Sequence, residues 1–481
     1  MEGRFVAHVT VGIDIGTTSV KAVAADADGK IVASERIGHR LIAPRSDRFE
    51  HDPRSAWIDG VLSGWSAVSA GHEVAGVCVS AMVPSLCGVD KDGEPVTAGL
   101  LYGDARGRHE PVDPLPVDAL SIDSQPINAQ PIDPVGEPEQ VPATGFGEVA
   151  GFAKWLGAQP EVAALWPAQA VANHALCGVG AIDTSSAMTM TPLFGLEGWD
   201  NEVLETLGLN TDQLPVTCPG HTPIARDTRA AASSTISADT VISGGTIDAL
   251  AEQTVADAHR SGDVLVVCGT TLIIWGLTDE WREVEGLWTI PYAVESKIAI
   301  GGASNAGGLF IDRVRSMVGA VNEGDLTNAA AGDLPVWVPY LRGERTPWHD
   351  SRRRAELLEL GLNHGPAEIT AAAYEASGFV VRHHLDLADV SPQRIVAVGG
   401  GTQSSAWMQA LADCTNLAVD VSAHPHGAAL GAAYAARVSA GLEADMSHSR
   451  LWARTSHRVE PRDNIVEAAD IRYRKFRGAI E

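Results

Sequence analysis

Two glycines and an acid stand near the middle of the chain, between a strand pattern and a helix pattern. Residues 241–248 read VISGGTID and are followed by an apolar, helix-like run over 249–259. The glycines allow the backbone to turn tightly beside a ligand. Because the positive end of a helix favours an ionised carboxylate, we expect Asp248 to have a low pKa and to be a candidate catalytic base. The alternative is a helix N-cap with no chemical role.

Two Gly-Thr-Thr triplets each interrupt an apolar segment. Gly16-Thr17-Thr18 follows a predicted strand over 9–15, and Gly269-Thr270-Thr271 follows one over 263–268; apolar strands resume after both. Such a corner offers backbone N–H groups and hydroxyls to an anion, and Asp14 beside the first corner is able to hold a metal ion through water. A plain β-hairpin is the alternative for either corner. The pair predicts a duplicated fold with two phosphate-facing turns across a shared cleft.

A third strand-to-helix turn carries three successive glycines. The strand over 395–398 leads into Gly399-Gly400-Gly401, and Ser404 or Ser405 is placed to cap the following helix, which ends near residue 415. Bare backbone at such a turn allows a flat ring or a phosphate to lie against it.

Other charged residues follow apolar segments and leave two interpretations open. Asp104 and Arg106 are suited to a polyol pocket or to a surface salt bridge. Arg342 and Arg345 are suited to a site near a phosphate or to a solvated loop.

The remaining elements alternate between strands and helices. Third strands are predicted over 30–37 and 297–302, and helices over about 303–318, 367–387 and 428–438. In the last helix, Gly431 and the alanines indicate close packing rather than chemistry. The segment 108–145 holds eight prolines, which excludes a regular helix and predicts an extended or partly disordered loop.

Composition excludes several classes of function. The net charge of −26 argues against nucleic acid or an anionic membrane as partner, since both require a basic face. Six scattered cysteines without a CxxC pair indicate free thiols in a reducing compartment. No basic leader occurs, and no apolar run approaches the ~20 residues that span a bilayer, so we expect a cytoplasmic protein. Neither GxxxxGK[ST] nor a strand-linked GxGxxG is present, which excludes the common NTPase loop and a dinucleotide fold.

Taken in order, these segments resemble the FGGY family of carbohydrate kinases, within the sugar kinase, actin and heat-shock ATPase superfamily. The resemblance extends from about residue 9 to 440. It is carried by Gly12-Ile13-Asp14-Ile15-Gly16-Thr17, Gly244-Gly245-x-x-Asp248-Ala249, Cys268-Gly269-Thr270-Thr271, Pro339-Tyr340-Leu341-x-Gly343-Glu344-Arg345-Thr346-Pro347, the triple glycine with Ser404 and Trp407, and Gly427-Ala428-Ala429-Leu430-Gly431-Ala432-Ala433.

The resemblance implies an α/β fold of two ribonuclease-H-like (actin-like ATPase) domains, 1–243 and 244–481, flanking a deep cleft. It implies that Asp248 is the catalytic base and that Asp14 lies beside Mg²⁺ and the γ-phosphate of ATP. The two corners then cradle the phosphates, and the triple glycine with Ser404 holds the adenosine. Asp104 and Arg106 resemble the family's sugar-contacting acid and arginine.

Departures from the family pattern fall on the substrate side. Met82-Val83-Pro84 stands where xylulose kinases usually have Gln-Met-His, and Tyr102-Gly103 stands where a tryptophan–asparagine pair is usual. We take this triplet as substrate-binding and expect an ATP-dependent kinase for a ketopentose such as D-xylulose. Alternatives are a kinase for ribulose, gluconate or glycerol, or a sugar- or nucleotide-binding regulatory protein without turnover. Relatives of this family commonly dimerise, so a homodimer is one expected assembly.

Overall fold

The computed structural model of the protein describes residues 8–45, 48–106, 148–195, 197–225, 239–292, 297–350, 352–424 and 426–481. The proline-rich segment 108–145 lies outside the described residues, so the loop expected there stays a prediction. Across the described ranges, no helix has both the length and the apolar character that crossing a bilayer requires.

Short strands and helices alternate through the first half of the chain. Its strands are β1 (His8–Ile15), β2 (Ser19–Ala25), β3 (Ile31–Gly38), β4 (Ile42–Arg45), β5 (Arg48–His51), β6 (Glu73–Ala81), β7 (Ser85–Val89), β8 (Gly99–Leu101), β9 (Ala164–Trp166), β10 (Ala181–Asp183), β11 (Phe194–Gly195), β12 (Gly198–Trp199), β13 (Val216–Cys218), β14 (Pro223–Ala225), β15 (Val241–Ser243) and β16 (Thr246–Ile247). Its α-helices are α1 (Gly60–Ser69), α2 (Glu148–Gly157), α3 (Ala168–Cys177), α4 (Thr184–Met188), α5 (Asn201–Thr206) and α6 (Asp248–Val255).

The second half has fewer strands and longer helices. Its strands are β17 (Asp263–Cys268), β18 (Leu272–Thr278), β19 (Trp288–Pro291), β20 (Ile298–Ser304), β21 (Val336–Val338), β22 (Glu356–Leu358), β23 (Arg394–Val398), β24 (Val419–Ser422) and β25 (Thr455–Val459). Its α-helices are α7 (Gly308–Val318), α8 (Glu323–Ala329), α9 (Pro366–Ala388), α10 (Ser405–Thr415), α11 (Gly427–Ser439) and α12 (Asp463–Ile480).

Two large sheets share one topology. The first has the order β14-β15-β6-β1-β2-β3, with β16 also paired to β6, and the second has the order β19-β20-β18-β17-β23-β24-β25. In the first, β1, β2 and β3 are antiparallel neighbours, while β6 and β15 run parallel to β1. In the second, β17, β18 and β20 are antiparallel neighbours, while β23 and β24 run parallel to β17. The predicted α/β class and the predicted duplication are confirmed.

The central strand of the first sheet is buried on both faces. Its apolar side chains, which alternate along β1, are at most 2% exposed, and Thr10 and Asp14 on the opposite face are buried as well, at 0% and 2% exposed. Helix α11 covers one face so closely that a Cβ on Gly12 would lie 1.8 Å from the Ala429 carbonyl oxygen. On α11 itself, a Cβ on Gly431 would lie 1.8 Å from the carbonyl oxygen of Ala251 in α6. The packing role predicted for Gly431 is therefore confirmed.

The predicted domain boundary at residue 244 falls between two strands of the first sheet. β15 ends before it, and β16 pairs with β6 after it. The second sheet begins with β17 at Asp263.

Two helix boundaries differ from the prediction. The helix expected from residues 303–305 begins at Gly308, because β20 continues to Ser304 and the turn after it packs on the second Gly-Thr-Thr corner. A Cβ on Gly307 would lie 2.4 Å from the backbone of Thr271, so the chain passes that corner as bare glycine. The helix expected over 249–259 ends at Val255, since Ala256 adopts an extended conformation with ψ of 141°.

Candidate active site

A cavity of about 590 Å³ lies between the two halves of the chain. Both Gly-Thr-Thr corners line it, together with Asp14, Asp248 and the triple glycine 399–401. Residues separated by up to 387 positions therefore meet at one place. The predicted arrangement of two corners across a shared cleft is what the structure shows.

The first corner is held from behind by buried aromatic residues. The indole N–H of Trp57 can only donate, and it lies 3.0 Å from Nδ1 of His51, so Nε2 of His51 carries the proton. That Nε2–H donates to the carbonyl oxygen of Thr17 at 2.8 Å. Burial lowers the pKa of His51 to about 4, which keeps the ring neutral and this tautomer fixed at neutral pH. The hydroxyls of Thr17 and Tyr102 are 2.8 Å apart.

The second corner is held by the start of a helix. The backbone N–H of Gly269 donates to the Thr271 carbonyl at 3.0 Å, which closes the turn. The N–H groups of Gly308 and Leu309, at the start of α7, donate to the carbonyls of Gly269 and Thr270 at 2.8 and 3.1 Å. These contacts fix the corner carbonyls against the start of α7.

Asp248 is the first residue of α6, and the N-cap position is Ile247. One oxygen of the Asp248 carboxylate accepts the Ala249 N–H at 2.7 Å. Burial raises the pKa of Asp248 to about 7, and the nearby Asp14 carboxylate raises it too. The hydrogen bond from the Ala249 N–H acts in the opposite direction and lowers it. The expectation of a low pKa is wrong, because the loss of water and a neighbouring carboxylate outweigh the helix end.

Among the charged residues of the cleft that were not predicted are Lys21 and Glu252. Lys21 lies 3.3 Å from the Asp14 carboxylate, which raises the lysine pKa. Burial raises the pKa of Glu252 to about 7. The signals were present: Lys21 is a lysine in an otherwise apolar strand, and Glu252 stands one helical turn after Asp248, on the same face.

The donor set around Asp14 fits a magnesium ion brought in with nucleotide phosphates. Asp14 is 2% exposed, lines the cavity, and accepts a hydrogen bond from the Ser80 hydroxyl at 3.3 Å. Among the described residues no cluster of three or more ligating side chains holds a metal unaided. A buried carboxylate at the cavity wall is a donor that suits Mg²⁺, which keeps several waters and takes one or two carboxylates plus substrate phosphates.

The triple-glycine turn also lines the cavity. Gly399 has a φ of 91°, which favours glycine, and a Cβ on Gly401 would lie 2.2 Å from the Trp407 ring. The Ser404 hydroxyl caps α10 by accepting the Trp407 N–H at 3.3 Å, as predicted, and it also donates to Glu323 at 3.1 Å. Glu323 comes from α8, and no sequence signal indicated this contact.

The Met82-Val83-Pro84 triplet lies between two cavities. Met82 and Val83 line both the cleft and a neighbouring cavity of about 10 Å³, whereas Pro84 lines the neighbouring cavity and not the cleft. Their substrate-binding role stays a prediction.

Asp104 and Arg106 form a buried ion pair and are not among the described residues that line the cleft. Asp104 is fully buried and accepts hydrogen bonds from Nε of Arg106 at 2.9 Å and from the Phe49 N–H at 2.8 Å. A second carboxylate, Glu50, lies 2.5 Å from Arg106. The salt-bridge alternative matches this geometry, although the pair is buried rather than exposed, and sugar contact stays a prediction.

This arrangement is suited to moving a phosphoryl group. Two corners with threonine hydroxyls and a carboxylate whose pKa is raised to about 7 line the same cavity. Phosphoryl transfer is catalysed mainly by positioning and charge neutralisation, which such a cleft supplies.

Family comparisons agree with the geometry. The N-terminal domain model of the FGGY family of carbohydrate kinases matches residues 9–135, and the C-terminal domain model matches residues 264–440.

Among curated relatives, a xylulose kinase of Klebsiella pneumoniae is 25% identical and covers 90% of this chain and 91% of its own length. A xylulose kinase of Streptomyces rubiginosus is 28% identical and covers 92% of this chain and 90% of its own length. A glycerol kinase of Allorhizobium ampelinum is 27% identical over 97% of both chains.

Solved structures show the same fold. A gluconate kinase of Lactobacillus acidophilus aligns with a TM-score of 0.78 at 21% identity, covering 98% of this chain and 97% of its own. A xylulose kinase of Rhodospirillum rubrum aligns with a TM-score of 0.76 at 22% identity, covering 98% of both chains. The chain belongs to the FGGY family of carbohydrate kinases and is a sugar kinase, a phosphotransferase that uses ATP.

Proposed function

We propose that the protein transfers the γ-phosphoryl group of ATP, as its Mg²⁺ complex, to a hydroxyl of a ketopentose such as D-xylulose. The observation that carries this proposal is that Asp248, Asp14 and both Gly-Thr-Thr corners line one cavity. The resemblance to two xylulose kinases over nine-tenths of the chain supports the choice of sugar.

Asp248 acts as the base. The new bond forms between the sugar oxygen and the γ-phosphorus, the bond from that phosphorus to the bridging oxygen breaks, and ADP leaves with the electron pair. The sugar proton passes to the Asp248 carboxylate late in this process, because a hydroxyl is far less acidic than a carboxylic acid. The raised pKa of Asp248 makes it a better acceptor than an ordinary aspartate.

The remaining groups bind and orient the nucleotide. The corner at 16–18 and the corner at 269–271 bind the phosphates through N–H and hydroxyl donors, and Gly399, Gly400, Gly401 and Ser404 hold the adenosine. When bound, Mg²⁺ neutralises phosphate charge, and Asp14 is the residue that would hold it, directly or through water. Closing the two halves over the sugar would exclude water as a competing acceptor.

A coupled assay of ADP release over a sugar panel tests the proposal. The panel contains D-xylulose, D-ribulose, D-gluconate and glycerol, with ATP and Mg²⁺ in every reaction. We expect D-xylulose to stimulate ADP release most strongly. Stimulation by another member alone would contradict the ketopentose assignment, and no stimulation by any sugar would contradict the kinase assignment.

A further inference from the structure

Arg345 stands on a loop that is fixed on both sides of it. Glu344, which is 3% exposed, accepts hydrogen bonds from the Ser304 hydroxyl at 2.8 Å and from the Arg345 N–H at 2.6 Å. The N–H of Thr346 donates to the carbonyl of Ala303 at 3.1 Å. Because Ala303 and Ser304 end strand β20, the backbone of Arg345 is anchored to the second sheet.

The guanidinium of Arg345 lies between two aromatic rings and faces the cleft. Its Cζ is 5.4 Å from the ring centre of Tyr102 and 5.4 Å from that of Trp288, and Arg345 lines the cavity. The face of an aromatic ring attracts a cation, but it does not replace a hydrogen-bond acceptor for the N–H groups of the guanidinium. Among the described residues, none accepts a hydrogen bond from this guanidinium, and Glu148 is the carboxylate with the largest opposing effect on its pKa, which burial lowers.

Arg345 and Asp248 line the same cavity. A ligand whose hydroxyl reaches Asp248 therefore lies in a cavity that also contains Arg345.

The Tyr102 ring that lies beside Arg345 has no free hydroxyl, and Met82 and Val83 of the same cavity are apolar. The Tyr102 hydroxyl is already paired with Thr17 at 2.8 Å, and Met82 and Val83 bring apolar side chains to the cavity. The N–H donors of Arg345 are therefore open to a ligand in this cavity.

We propose that Arg345 binds the substrate and selects sugars that carry an oxygen without a proton, either a ketone carbonyl or a carboxylate. A guanidinium has five N–H donors and no acceptor, so a carbonyl or carboxylate oxygen satisfies it directly, whereas a hydroxyl also brings a proton that needs its own acceptor. This inference rests on the proposed function and narrows it: ketoses and aldonates are substrates, and glycerol and alditols are poor ones.

Matched substrate pairs isolate this selection. D-Xylulose and xylitol differ only in the oxidation level of C2, and D-gluconate and D-glucitol differ only in that of C1. For each pair we would measure kcat/KM with the wild-type protein, with Arg345→Gln, and with Arg342→Gln as control. Arg342 is on the same loop and lies 5.5 Å from the Phe49 ring centre, but it is not among the residues that line the cavity.

The wild-type protein should prefer the carbonyl or carboxylate member of at least one pair by about 10- to 100-fold, the range expected for a hydrogen bond to a charged group. Arg345→Gln should remove most of that preference, while Arg342→Gln keeps it. Preference confined to the first pair identifies a ketone, and preference confined to the second identifies a carboxylate.

Other outcomes overturn the inference. The inference is contradicted if the wild-type protein has equal kcat/KM values within both pairs. It is also contradicted if Arg345→Gln keeps the wild-type preference. If Arg345 merely joined Tyr102 to Trp288 as a structural contact, the substitution would slow both members of a pair equally, which also overturns it. If Arg345→Gln does not fold, the kcat/KM ratios within each substrate pair, measured with Arg345→Lys and with the wild-type protein, test the inference instead. Turnover without a preference within either substrate pair contradicts the role of Arg345 but not the proposed function. No turnover with any sugar contradicts both the role of Arg345 and the proposed function.

Discussion

Replacing the side chain of His51 should disturb the Gly16-Thr17-Thr18 corner, although His51 is not among the described residues that line the cavity. His51→Phe keeps an aromatic ring but leaves the Thr17 carbonyl and the Trp57 indole N–H without their partners. Each unsatisfied buried group costs about 1–3 kcal/mol, so the unfolding free energy should fall by about 2–6 kcal/mol. His51→Gln offers one donor and one acceptor at similar spacing, so it should stay within about 1 kcal/mol of wild type.

The pH dependence gives an independent measure of the same side chain. Burial lowers the pKa of His51 from 6.5 to about 4, so the unfolded chain binds this proton more readily than the folded one. The stability that the neutral ring contributes is complete above about pH 6.5 and is lost as the pH falls toward 4, at about 1.4 kcal/mol per pH unit. Between pH 7.5 and 5.5, wild type should therefore lose about 1 kcal/mol more than His51→Gln.

Chemical denaturation of the three proteins at both pH values, with the KM for ATP at pH 7.5, provides the test. We expect the KM for ATP to rise at least about 10-fold in His51→Phe and to change little in His51→Gln, because the Thr17 carbonyl is again held. If the unfolding free energy changes equally with pH in wild type and His51→Gln, the imidazole of His51 is not held neutral by burial. An unchanged KM in His51→Phe would refute its role behind the corner.

Three further predictions follow from packing, metal binding and proton transfer. Gly12→Ala places a Cβ 1.8 Å from the Ala429 carbonyl oxygen and should lower the unfolding free energy by at least about 1–3 kcal/mol. The control Gly38→Ala, whose Cβ would have no atom within 4 Å, should leave the unfolding free energy unchanged. Equal melting temperatures of the two variants would contradict this prediction. Asp14→Asn should raise the Mg²⁺ concentration needed for half-maximal turnover, and an unchanged Mg²⁺ titration would exclude Asp14 from holding the metal. Because Asp248 must be ionised to accept a proton and burial raises its pKa to about 7, kcat/KM should fall as the pH drops below about 7; a profile flat down to pH 5.5 would contradict this.

The fold was predictable from sequence where short-range signals decide it. The two Gly-Thr-Thr corners and their flanking apolar runs predicted β1, β2, β17 and β18 to within two residues of their bounds. Their recurrence in each half predicted the duplicated sheets, because the same local pattern folds into the same hairpin.

The site was less predictable where its properties depend on distant residues. The pKa of Asp248 is set by burial and by Asp14, which is 234 positions away, so the helix end alone gave the wrong direction. The Asp104–Arg106 pair could not be identified as buried, because Glu50 and Phe49, which enclose it, come from another strand. Likewise, His51 lies behind Thr17 through a tertiary contact that spacing does not reveal.

Turnover of Asp248→Asn tests the central claim most directly, since the substitution keeps the side-chain shape and removes the proton acceptor. With the sugar that wild type uses best, kcat should fall by about 10²- to 10⁴-fold, while the dissociation constant for ATP stays within a few-fold of the wild-type value. Wild-type turnover by Asp248→Asn would contradict the assignment of this carboxylate as the base in the cleft.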